Sequence, residues 1–349
     1  MAGDLGNFSP AAVGGAPGVL IQICCVAYFG LTCQAAFLAN CSLHLMPELL
    51  HTPTDGPPEA SAPLRLLTWR LLMLVGCLLL AYAPVLAHLV RQWSDEPDYS
   101  HGFIVPIFAA WVLWERREEL RNIAPRPHWA GLPIIVCSLA LLVLGSFGAE
   151  LFLQRISLPL LLAGLVVWFR GWPTLRASAF PLLVLLLAIP FPGVIYFQIV
   201  FPLQILASRL ATWILHTIDL FPVLREGNVI VLSSTRLEVA EACSGVRSLL
   251  SLLTIAVIYS YVAERRVLVR WLLCLLVVPI AIAGNAGRVV FAAFSAEMAG
   301  ANAVEGWGHF LSGIFLFFIS TLLMVLGHVL ILALGRRLGW VHANAGGDQ

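Results

Sequence analysis

Eight apolar stretches, most of them close to the roughly 20 residues that cross a bilayer core of about 30 Å, follow one another through this chain. They lie at about 71–90, 102–115, 130–147, 152–169, 178–197, 245–263, 269–290 and 309–333. In hydrocarbon a helix satisfies its own backbone, so each stretch predicts a transmembrane helix, and the chain reads as all-α, a polytopic membrane helical bundle. Composition bears on the choice of solvent. With 60% hydrophobic residues, 11% charged residues and a mean hydropathy of +0.91, against about 45–50% and 25% in soluble domains, the chain cannot cover its apolar surface in water. The lipid bilayer is its principal partner.

The basic residues cluster between the apolar stretches. Arg116, Arg117, Arg121 and Arg126 share one connector, Arg170 and Arg176 another, Arg265, Arg266 and Arg270 a third, and Arg336 and Arg337 close the last span. The positive-inside rule puts these in the cytoplasm and turns 92–101 and 219–242 outward. With a net charge of +1, the clusters are a topology signal and imply no nucleic-acid partner. A crossing by residues 198–218 would invert every later basic connector. Gln204, Ser208, Thr212 and His216 recur there every fourth residue, a polar stripe that predicts an interfacial helix on the outer surface; the alternative is a buried span whose stripe faces the bundle. In the outward loop, 229–232 and 237–239 are short β-like runs separated by Ser233-Ser234-Thr235-Arg236, which predicts a short β-hairpin.

Residues 1–63 form an amino-terminal extension and linker, residues 64–337 the transmembrane domain, and residues 338–349 a cytoplasmic tail. The first 45 residues read either as an extra helix or as an extension ahead of an alternative start at Met46. Of eight cysteines, Cys77, Cys137 and Cys274 fall inside spans, where a thiol packs as a small hydrophobe. Cys243 stands at the border of a polar loop and an apolar helix.

Counted along the spans, Cys243 is 22 residues before Arg265, Arg288 is 18 after Arg270, and His309 is 27 before Arg336. These separations are about 33, 27 and 40 Å of helix, so all three residues sit near the outer boundary. A thiol at a helix N-terminus beside a cation is readily ionised. His309 can take and return its proton, and Arg288 can stabilise a thiolate or an oxyanion, or hold a substrate carboxylate. Taken singly, Cys243 is also readable as a packing thiol, Arg288 as a snorkelling cation and His309 as an interfacial cap. Agreement in side and depth is what distinguishes the set. Arg247, one turn after Cys243, competes for the role given to Arg288.

The segment Glu241-Ala242-Cys243-Ser244-Gly245-Val246-Arg247 resembles the nucleophile motif of the exosortase family, Gly284-Asn285-Ala286-Gly287-Arg288 its arginine motif, and Gly308-His309 its histidine motif. Trp93, Asp98, Tyr99, Ser100, His101 and Gly102, followed by Arg116, Arg117 and Leu120, are similar to its amino-terminal signature. The resemblance covers about 70–335. It implies a bacterial inner-membrane cysteine protease or transpeptidase, with Cys243, Arg288 and His309 as catalytic residues facing the periplasm and no cofactor. Its implied partners are substrates with a carboxy-terminal PEP-CTERM signal: a Pro-Glu-Pro-type motif, a transmembrane helix and a basic tail. It also implies a link to exopolysaccharide or biofilm production, and leaves the acceptor nucleophile open. The first 45 residues match nothing in that pattern, and no soluble carboxy-terminal domain is expected after residue 337.

Two rival functions use the same residues. A polytopic transporter also carries intramembrane Arg and His, but the spans show no internal repeat and the polar residues gather at one face. A non-catalytic scaffold for exopolysaccharide export leaves the Cys, Arg and His set without a purpose. A metal site on His101, Cys243 and His309 has suitable ligand types without a local spacing motif.

Overall fold

The computed structural model describes residues 62–219, 221–233, 236–239, 245–299 and 307–338. They form ten α-helices and three short strands: α1 (Ala62–Asp95), α2 (Ile104–Glu115), α3 (Arg117–Asn122), α4 (Gly131–Phe147), α5 (Leu151–Phe169), α6 (Trp172–Val184), α7 (Gly193–Ile218), β1 (Leu224–Glu226), β2 (Val229–Val231), β3 (Arg236–Glu238), α8 (Val246–Ala263), α9 (Val267–Ala299) and α10 (Trp307–Arg337). Short 3-10 turns cover Pro97–Phe103 and Leu185–Ala188.

Six helices among the described residues are long and apolar enough to cross a membrane, with two shorter apolar helices at Gly131–Phe147 and Trp172–Ala188. The expected count of eight spans is corrected at two places. The stretch at 102–115 begins in the 3-10 turn and continues as the 12-residue α2, about 18 Å long and short of the bilayer core. The stretch at 178–197 is broken at Ile189, whose backbone is extended (φ −94°, ψ 116°) ahead of Pro190. Pro190 and Pro192 donate no amide and disfavour helical backbone in the residue before them, so the helix ends there. The second half of that stretch joins 198–218 in the single helix α7. The hairpin at 229–239 also has a third strand. β1 pairs antiparallel with β2 in register Leu224↔Val231, and β2 with β3 in register Val229↔Glu238. The two-residue Gly227-Asn228 turn, with Gly227 at φ +66°, closes the first pair.

The chain divides into two compact units. Of the described residues, one holds 62–91 and 113–189, the other 92–112 and 190–338. In the first, Ala81, Tyr82 and Val85 of α1 meet Ile135, Leu139 and Leu142 of α4 and Leu161 and Trp168 of α5. Lipid gives helices no hydrophobic reason to associate, so close approach and buried polar contacts hold them. A Cβ on Gly131 would sit 2.5 Å from the Trp168 backbone nitrogen. The Tyr82 and Ser157 hydroxyls lie 2.9 Å apart, and Ser138 Oγ donates to the Ser157 carbonyl at 2.8 Å.

The second unit packs α8, α9 and α10 through Leu252, Ala256, Val277, Ala281 and Met324. At 33 residues, α9 is about 50 Å long and exceeds the bilayer core by some 20 Å. Its far portion, Val289, Ala293 and Ala296, packs with Ala207, Ala211 and Leu215 of α7 and with Ile230, Leu232 and Val239 around the sheet. The first turn of α7 is held as well, because Tyr196 Oη donates to Asp98 Oδ2 at 2.6 Å.

A tight turn joins α8 to α9. Glu264 Oε1 accepts from the Arg265 and Arg266 amides at 2.8 and 2.9 Å, and Arg270 Nε donates to the Glu264 carbonyl at 2.7 Å while its guanidinium lies 4.9 Å from the Tyr261 ring centroid. His328 of α10 adds a longer contact, 3.7 Å from Glu264 Oε2, and its other ring nitrogen lies 3.0 Å from Tyr259 Oη. Burial pushes the Glu264 carboxyl up, but the two amides, the Arg266 charge and His328 together outweigh it and hold the carboxyl below the ordinary carboxylate range. A lowered carboxyl pKa stabilises the fold above its unfolded value, and that stabilisation is lost as pH falls through the folded value. Glu264→Gln is therefore expected to cost about 1–3 kcal/mol near neutral pH. The difference in thermal midpoint between the detergent-solubilised proteins should shrink as pH drops below the ordinary carboxylate range; a difference that is flat down to acid pH would refute this account of the turn.

Candidate active site

The site is built where α8 begins. Gly245, its N-cap, has φ +87° and ψ 0°, a left-handed backbone that side chains resist. Space imposes the same choice, since a Cβ on Gly245 would sit 2.8 Å from Asn285 Cγ. Glycine thus lets the first turn of α8 press against the Asn285 side chain of α9. Cys243, two residues earlier, lies outside the described residues. The chain leaves Gly245 into the positive end of the α8 dipole.

One turn into α8, the two arginines separate by environment. Arg247 Nε donates to Asp98 Oδ1 at 2.7 Å, and Tyr196 holds the other carboxylate oxygen. Asp98 sits in the 3-10 turn Pro97–Phe103, which is fixed by buried Tyr99, His101 and Gly102 and by the ring of Trp93 lying directly against Gly102. The charge of Arg247 is thereby met by a carboxylate and its direction fixed. Arg288, on α9, lies over the bare backbone of Gly313 in α10: a Cβ on Gly313 would be 3.5 Å from Arg288 Cζ.

Both guanidiniums line one cavity of about 560 Å³, within the size range of small-molecule and peptide pockets. Its polar wall is Ser100, Arg247, Ser248, Ser251, Asn285, Arg288 and Ser320, and its apolar wall includes Ala281, Gly284, Gly313, Ile314, Phe317 and Phe318. Two cations, an amide and several hydroxyls make a site able to hold an anion or a polar chain segment that lipid would exclude. His309 falls in the first turn of α10, four residues before Gly313; its side chain lies outside the described residues. Of the three expected catalytic residues, Arg288 lines the cavity, His309 is described by its helix alone, and Cys243 lies outside the described residues.

A family model described as transmembrane exosortase matches residues 93–326. The chain belongs to the transmembrane exosortase family. No curated protein and no solved structure matches it. The exosortase match takes in Trp93, the Asp98 turn, the sheet, α8, α9 and all of the cavity, and ends inside α10, so it is narrower at both ends than the 70–335 expected from the motifs. With six apolar helices of spanning length, this exosortase-family chain is a multi-pass membrane protein.

Sequence reading alone did not find Tyr196, Ser251 or Ser320, nor the pairing of Asp98 with Arg247. Tyr196 sits in a run that reads as a continuous span, and the two serines lack any local pattern. Asp98 was visible as part of a signature, but its partner is 149 positions away. The glycine geometry yields a paired prediction. Gly245→Ala meets both the left-handed backbone and the Asn285 side chain and is expected to cost about 1–3 kcal/mol, whereas Gly313→Ala, at an ordinary contact distance from Arg288, should leave the thermal midpoint nearly unchanged. Equal midpoints for the two variants would contradict the close packing of α8 on Asn285.

Proposed function

We propose that this chain is a membrane-embedded cysteine protease or transpeptidase that cleaves and sorts proteins carrying a carboxy-terminal PEP-CTERM signal at the periplasmic face of a bacterial inner membrane, in a setting of exopolysaccharide or biofilm production. The observation that carries this reading is the Arg288-lined cavity that reaches Arg247 in the first turn of α8, four residues after the motif cysteine, in a chain of the exosortase family. The substrate's apolar tail lies in the bilayer with its Pro-Glu-Pro segment at the outer boundary. Cys243 gives its thiol proton to His309 and attacks the scissile carbonyl; Arg288 stabilises the oxyanion; the C–N bond breaks, and His309 returns the proton to the leaving amine. The thioester is then resolved by an amine, giving transfer, or by water, giving hydrolysis. Arg247, already paired with Asp98, positions the start of α8 and is not given the oxyanion role.

Membrane orientation follows from the same reading. Both ends of α7 are engaged with groups near the outer part of the second unit, Tyr196 with Asp98 and Leu215 with the sheet and the overhanging end of α9. This favours α7 lying along the outer surface despite its spanning length, and keeps the arginines at 265, 266 and 270 in the cytoplasm. In a background without other accessible thiols, Glu226→Cys should react with an impermeant maleimide in spheroplasts, and Arg265→Cys only after the inner face is opened. The reverse pattern would overturn the orientation and the shared outer site.

Cys243→Ser should abolish release of the tail from a tagged PEP-CTERM substrate while leaving the enzyme inserted, because a hydroxyl ionises far less readily than a thiol. His309→Ala should slow turnover by about 10²–10⁴-fold, and Arg288→Ala should be similarly damaging, while Cys274→Ala, a free thiol inside α9, should process normally. Tail release at the normal rate by Cys243→Ser would exclude Cys243 as the nucleophile and return the transporter and scaffold readings to first place.

A further inference from the structure

Among the helical serines and threonines whose side chains are described, two stand apart. Membrane-embedded Ser and Thr side chains ordinarily bond back to a carbonyl three or four residues earlier, and Ser146, Ser178, Thr212, Thr254, Ser260, Ser295 and Thr321 all do so here. Among the described helical serines and threonines, only Ser251 and Ser320 make no hydrogen bond to the protein. Both line the cavity that holds Arg247 and Arg288. Ser251 is six residues beyond Gly245 and Ser320 seven beyond Gly313, so they lie about 9 and 10.5 Å along their helices toward the membrane interior. Gly284 keeps the approach to Ser320 open, since a Cβ there would sit 2.5 Å from Ser320 Oγ.

The substrate class proposed above poses a problem that these hydroxyls fit. A peptide bond inside an intact helix has its carbonyl bonded to the amide four residues on and is wrapped by side chains, so attack near the start of the substrate's apolar helix requires its first turn to open. Opening one turn leaves amides and carbonyls without partners at a depth where no bulk water reaches them, and each costs free energy until it is paired. We infer that the cavity below Arg288 receives the opened first turn of the substrate's apolar segment, with the Ser251 and Ser320 hydroxyls pairing with its exposed backbone groups. The two serines are positioning residues: they touch the substrate's backbone and leave the reacting carbonyl to the groups above. Lying well below the cation level, they suit an extended chain descending from it better than a compact anionic head.

This inference rests on the peptidase reading, and the test separates the two. Reconstituted full-length enzyme would be given a tagged polypeptide ending in a Pro-Glu-Pro motif, an apolar helix and a basic tail, and a second version with two glycines in the first turn of that helix. Ser251→Ala/Ser320→Ala is expected to release the tail of the regular substrate about tenfold more slowly than wild type. On the glycine substrate, whose helix opens more easily, the double variant should come within about threefold of wild type, and wild type should gain less than the variant does. The two single variants are read the same way, so a double variant that failed to insert would not decide the outcome. Equal slowing on both substrates, or no slowing on either, would overturn the role of the cavity while leaving the peptidase reading intact; a wild-type enzyme that releases neither tail would overturn both.

Discussion

A hydrocarbon environment leaves polar groups only each other, and this molecule is arranged around that scarcity. Backbone groups are satisfied inside helices, and helical hydroxyls are mostly returned to the carbonyls one turn back. Cations are met either by partners in a turn or by a cavity. Arg265, Arg266 and Arg270 crowd the turn between α8 and α9, where the Glu264 carboxylate and carbonyl and the Tyr261 ring are within reach. Arg247 and Arg288 lie on a cavity, and Arg247 also meets the Asp98 carboxylate; both arrangements lower the cost of keeping a guanidinium charged near lipid.

The Asp98 carboxylate links that economy to the site. It takes Arg247 on one oxygen and Tyr196 on the other, joining three segments far apart in sequence: the 3-10 turn before α2, the start of α7 and the start of α8. Its 16% side-chain exposure against 39% for Arg247 means that the carboxylate is the shielded partner, and loss of that acceptor would be felt by both donors at once. The Trp93 ring packed on Gly102 keeps the turn in place, which gives the Trp, Asp and Gly of the amino-terminal signature a common physical purpose.

Much of this was legible in the chain itself. Runs of apolar residues near 20 long located α1, α5, α8, α9 and α10, and the family motifs located Arg288. The break at Ile189 was hidden because Ile189, Phe191 and the flanking residues keep the run apolar, although Pro190 and Pro192 cannot continue a helix. β1 was hidden because Leu224-Arg225-Glu226 has no β-branched or aromatic residue; it is a strand because the Gly227-Asn228 turn folds it onto β2. The pairing of Arg247 with Asp98, 149 positions away, is encoded by no periodicity. Ser251 and Ser320 look like ordinary helical serines until every back-bond is accounted for.

The hairpin of α8 and α9 is pinned at both ends, by the Glu264 turn and by Gly245 against Asn285. Gly245 stands 19 residues before Glu264, and Asn285 stands 19 residues after Arg266, so the two arms match in length. A residue inserted into one arm alone would rotate everything beyond it by about 100°, swinging Arg247 away from Asp98 or Arg288 away from Gly313. These two arms can therefore change length only together.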